Sequence, residues 1–183
     1  MKMRVQVSAA INDSDRKKLE EMIRKVVEEI ENRSGCDFRH LDTIIIPPNF
    51  DEELERFGRE KGLEPLRSHA VGRPDFFMTA GKTVPFFERG QLRTTVFVHP
   101  LILKRIFDDC GENRDSSIEI LLSVITHELA HVHDISRRHS VFGSEFMKER
   151  EYMCMSQMLA HSADHIWEEY YASESLRLFQ FYV

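Results

Sequence analysis

Cysteine is scarce in this chain of 183 residues: Cys36, Cys110 and Cys154 stand far apart and are odd in number. That excludes the disulfide framework of a small secreted domain and favours a reducing compartment, the cytoplasm. Long apolar runs are missing too. No stretch approaches the ~18 consecutive apolar residues of a membrane-spanning helix. Met1-Lys2-Met3-Arg4-Val5 leads into polar residues rather than the apolar core of a signal peptide, so no membrane partner is expected. An excess of positive charge is also absent. The 25 Lys and Arg against 31 Asp and Glu leave a net charge of −6, which disfavours nucleic acid as a partner. There is no glycine-rich phosphate loop, internal repeat or linker. What remains, 42% hydrophobic and 31% charged residues, is the composition of a globular protein, and residues 1–183 read as one domain with its own core.

Val5 and Val7 alternate with polar neighbours, which predicts a short strand between Met3 and Ala9. Asn12-Asp13-Ser14-Asp15 supplies the N-cap of a charged helix running to about Asn32. Its apolar stripe is Leu19, Met22, Ile23, Val26, Val27 and Ile30, and Gly35 is its stop. Leu41 to Ile46 is a β-branched run closed by Pro47-Pro48, hence a second strand. Glycine and proline punctuate residues 47 to 83. An irregular surface segment is expected there, with a short helix from Asp51 to Phe57 and with Phe76, Phe77 and Met78 turned inward. Leu92 to Val98 reads as a strand, and Pro100 opens a helix over Leu101 to Phe107.

The next helix begins at a capping box, Ser116-Ser117-Ile118-Glu119. Ile118, Leu121, Leu122, Ile125, Leu129 and Val132 share one face, while Ile120, Val124, His127 and His131 share the other, as in a helix buried in the core. After a polar stretch through Arg137-Arg138, a final helical region is expected from about Glu145 to Phe179. The order of elements predicts an α+β fold, a small mixed or antiparallel sheet packed on helices.

His127-Glu128-Leu129-Ala130-His131 carries the chemistry. Two histidines at i and i+4 project from one helix face, close enough for both imidazoles to reach one Zn²⁺ at about 2.0–2.1 Å. Glu128 between them is placed to touch a water on the metal without being a ligand, and to act as general base. A catalytic zinc site needs a third protein ligand and an open position. A His at Arg137, six residues past His131, would give one such set and is absent; His133 points away, and His139 would have to curl back. The better source is Trp167-Glu168-Glu169-Tyr170-Tyr171-Ala172-Ser173 in the last helix, crossing the first. One residue is 100° of helix, so Glu168 and Glu169 cannot both face the metal; Glu169 is favoured, with Ala172 one turn on allowing close approach. Tyr170, Tyr171, His161 and His165 are candidates for stabilising an oxyanion.

The pair His127-Glu128-x-x-His131 and Glu169-x-x-Ala172 resembles the gluzincin metallopeptidases, and the chain's small size resembles their single-domain minigluzincin and ImmA/IrrE-like members. The resemblance implies a zincin-like fold and a zinc-dependent metallopeptidase holding one Zn²⁺ on His127, His131 and Glu169. It implies Glu-assisted attack of a zinc-bound water on a peptide bond, in a specific intracellular peptide or protein substrate. It also implies that the strand before the active-site helix, here Leu92 to Val98, lines the cleft and pairs with extended substrate. Where many gluzincins carry an Asp beside a ligand histidine this chain has Ser173, leaving Asp134 or Asp164 as substitutes. The alternative is a catalytically silent zinc-binding scaffold acting in protein–protein interaction. The sequence leaves the oligomeric state open.

Overall fold

A computed structural model describes residues 3–63, 66, 80–108, 114–147, 167, 169–172 and 174. The first strand, β1 (Arg4–Val7), buries Val5 and Val7 and exposes Arg4 and Gln6. Helix α1 (Asp13–Ser34) begins where the Asn12 side chain accepts from the Asp15 N–H and ends at Gly35, whose φ of 66° suits a glycine cap. Strand β2 (Leu41–Ile46) lies parallel to β1, as a crossover through a helix requires. Helix α2 (Phe50–Lys61) is capped by Asn49 and closed by Gly62, a turn longer than the sequence pattern predicts.

Residues 81 to 88 form a strand that the sequence pattern does not predict. Strand β3 (Gly81–Glu88) runs into β4 (Gln91–Val98) through Arg89 and Gly90, with φ of 52° and 79°, the positive pair of a tight hairpin. Pro85 argues against a central strand, but β3 is at the edge, where a missing N–H costs little. The sheet order is β1-β2-β4-β3, with β2 and β4 parallel and β3 antiparallel to β4. The fold is therefore α+β with a small mixed sheet.

Helix α3 (Leu101–Asp108) leads to α4 (Arg114–Phe142) and the 3-10 turn 143–147. Two expectations for α4 are corrected. It starts before Ser116, so the Ser-x-x-Glu pattern falls inside its first turns and not at its cap. It also continues through Arg137 and Arg138, both good helix formers, supported by an Asp134–Arg138 ion pair at 2.6 Å, and stops at Gly143 with φ 62°. Phe76, Phe77, Met78, Cys110 and Cys154 lie outside the described residues, as does most of the final helical region; Trp167, Glu169–Ala172 and Glu174 are helical.

One face of the sheet packs Val5, Val7, Ile44, Ile46, Val96 and Val98 against α1, α3 and α4. On the other face Ile45, Phe97, Val84 and Phe86 meet Phe50, Leu54 and Phe57 of α2. From Ile44 to Ile46 in β2 and from Val96 to Val98 in β4, alternation assigns each side chain to one layer, while a register shift between Leu41 and Thr43 returns Leu41 to the layer of Ile44 and Ile46. Among the described residues no helix is long and apolar enough to cross a membrane.

Candidate metal centre

Helix α4 buries Leu121, Ile125, Leu129 and Val132 against the sheet. Its rotation is thereby fixed, and His127 and His131 are turned to the other side. That side is core only in part: Val124 packs against the main cluster as well as lining a cleft, whereas Ile120 is exposed, contrary to the expectation for it. The two Nε2 atoms stand 3.2 Å apart, with the rings edge to face. Glu169 faces both, Oε2 at 3.6 Å from His127 Nε2 and Oε1 at 3.8 Å from His131 Nε2. One donor atom from each of the three residues falls within 4.8 Å of the others. Donors about 2.1 Å from a tetrahedral Zn²⁺ stand about 3.4 Å from one another, so the spacing and the His-His-carboxylate chemistry both fit that ion. Burial pulls the His127 imidazole below its usual value, against the opposing charge of Glu169, which keeps a nitrogen lone pair available.

Glu128 is outside this donor set and is 5% exposed. Burial pushes its carboxyl up to about 7, opposed by a hydrogen bond from Thr83, reinforced by Glu169 and opposed again by Lys82. The Thr83 hydroxyl donates to Glu128 Oε2 at 2.7 Å and also lies 3.1 Å from the Glu128 carbonyl oxygen. A cleft of about 840 Å³ opens here, its walls including Gly81, Thr83 and Pro85 of β3 and Val124, Ile135 and Met147 beyond the histidines.

The cleft strand is thus β3. The expectation that Leu92 to Val98 lines the cleft and pairs with substrate is overturned, because β4 has β2 on one side and β3 on the other and no free edge. Gly81, Lys82 and Thr83 are the site residues the sequence reading missed. The available signals were the Arg89-Gly90 turn and the alternation of Val84 and Phe86, which together mark a hairpin.

The remaining candidates separate by position. His139 lies on α4 itself, ring to ring with His40 and Phe87, and cannot curl back to the pair. His133 accepts a hydrogen bond from the Asp37 N–H at 2.8 Å and stacks on Tyr171. Tyr170 is exposed beside Trp167. Ala172 is fully buried, as a close helix approach requires. Asp134 pairs with Arg138. Glu168, His161, Asp164, His165 and Ser173 lie outside the described residues. Compared with known proteins, the chain matches no family model and no curated sequence.

Proposed function

We propose that this protein is a zinc-dependent metallopeptidase of zincin-like architecture, akin to the small gluzincins. The observation that carries this reading is the convergence of His127, His131 and Glu169 at ligand spacing, with a fourth group, Glu128, buried beside them and not part of the set. A site built only to hold a metal has no use for that carboxylate.

A bound Zn²⁺ supplies Lewis acidity, acidifying a water and polarising the carbonyl to be attacked. His127, His131 and Glu169, which line the cleft, would hold the ion. Glu128 receives the water's proton on Oε1, since Oε2 is engaged by Thr83. The water oxygen would add to the carbonyl carbon as the C=O π pair moves onto oxygen; that pair would then return as the carbon–nitrogen bond breaks, with Glu128 handing its proton to the departing amine. Extended substrate would add along β3, the cleft strand, whose outer edge pairs with no strand among the described residues. The three scattered cysteines favour the cytoplasm and hence an intracellular protein as substrate.

The test is turnover of a quenched-fluorescent peptide library by the zinc-loaded chain, with Glu128→Gln as control. The variant should keep its zinc and lose about 10²–10⁴-fold in rate. Cleavage undiminished in Glu128→Gln would rule the mechanism out. Zinc retained with no turnover in the wild type would leave the silent scaffold.

A further inference from the structure

We infer that Gly81 and Thr83 of β3 are positioning residues for Glu128, forming a cradle that fixes its carboxylate beside the donor set. The inference deepens the hydrolase reading above and rests on it.

Two independent contacts carry it. The Thr83 hydroxyl has one proton and directs it at Glu128 Oε2, 2.7 Å away, and at the Glu128 carbonyl oxygen, 3.1 Å away. It therefore ties the side chain and the helix backbone of one residue to the same point on the strand. At Gly81 a side chain has no room: a Cβ there would stand 2.7 Å from Glu128 Oε1, 2.8 Å from Cγ and 2.9 Å from Cδ. These separations are below van der Waals contact along the whole carboxylate arm. Anything larger than glycine requires Glu128 or the strand at Gly81 to shift.

Both contacts come from one strand because residues i and i+2 face the same side of a sheet. Gly81 and Thr83 present one bare and one hydroxyl-bearing position to the same turn of α4. Had β3 met α4 for packing alone, an alanine and a valine would fill the space without a buried carboxylate that must find a donor. With Oε2 held by Thr83, Oε1 is the oxygen left to exchange a proton.

The test uses the full chain, first metal-free. Gly81→Ala and Thr83→Val are compared by thermal denaturation, each alone and in a Glu128→Ala background. Gly81→Ala should lower Tm by about 4 °C or more when Glu128 is present, and by less than about 1 °C when it is absent, because the clash partner has gone. Thr83→Val should show the same dependence. Equal losses in both backgrounds would mean that the two residues serve the sheet, and the inference would fall.

The second arm uses zinc-loaded chain and one cleaved peptide from the library. Thr83→Val should lower kcat about ten- to a hundredfold at unchanged KM and zinc content, and Thr83→Ser should restore it. An unchanged kcat would also overturn the inference. Wild-type chain that binds zinc without turnover, with the background dependence intact, would overturn the hydrolase reading alone and leave the cradle standing.

Discussion

Helices α1 and α4 each bury an apolar stripe against the same face of the sheet, yet they differ in what else they bury. In α1 the buried residues are Leu19, Ile23, Val27 and Ile30, all apolar. Its outer face carries i, i+4 ion pairs such as Glu21–Lys25. Helix α4 buries Leu121, Ile125, Leu129 and Val132 in the same way, but Ser117, Thr126, Glu128 and Ser136 are buried with them. Helix α1 follows the local rules of an amphipathic helix, save that the Nε atom of Arg16 is buried without a hydrogen-bond partner. Helix α4 breaks them at Glu128, where a carboxyl is taken out of water at a free-energy cost. Departures of this kind concentrate where chemistry is done.

The contrast can be broken most forcefully in α1. Ile23→Ala should lower folding stability by about 2–5 kcal/mol in chemical denaturation, while the folded fraction takes up zinc as the wild type does. Impaired zinc uptake by that folded fraction would erase the distinction between the two helices. In α4 the sign reverses. Glu128→Gln replaces a buried carboxyl with a neutral amide and should leave the metal-free chain as stable or more stable, by up to about 2 kcal/mol. A clear loss would show Glu128 to be a structural residue.

Smaller effects sharpen the comparison. Asn12→Ala removes the α1 cap and should cost about 0.5–2 kcal/mol in the same denaturation series. Lys25→Ala breaks a fully exposed ion pair and should leave the unfolding midpoint unchanged within error.

Legibility in the sequence follows the same divide. The caps of α1 at Asn12 and Gly35 and the β-branched run of β2 are local signals, and they placed both elements within a residue or two. His127 and His131 are local too, since helical spacing alone brings them together. Glu169 lies 38 positions beyond His131 in the chain, and only its Glu-x-x-Ala context singled it out. The cleft strand was not legible. Gly81 reads as the last of the breakers that punctuate residues 47 to 83, which hides the start of β3, and the tie between Thr83 and Glu128 joins residues 45 positions apart. With β3 unseen, β4 was the nearest strand before the motif and was assigned the cleft in its place. The end of α4 is not legible at Arg137-Arg138, a polar stretch that is compatible with helix, and the stop signal stands at Gly143.

The central claim is that three side chains, two from α4 and one from the helical segment at Glu169, hold a zinc ion. Elemental mass spectrometry on the untagged, zinc-reconstituted chain tests it most directly, with wild type beside His131→Ala and Glu169→Ala. The account predicts one zinc per chain in the wild type and loss or marked weakening in both variants. A wild-type chain that takes up no zinc, or a Glu169→Ala variant that holds it undiminished, would contradict the three-ligand centre.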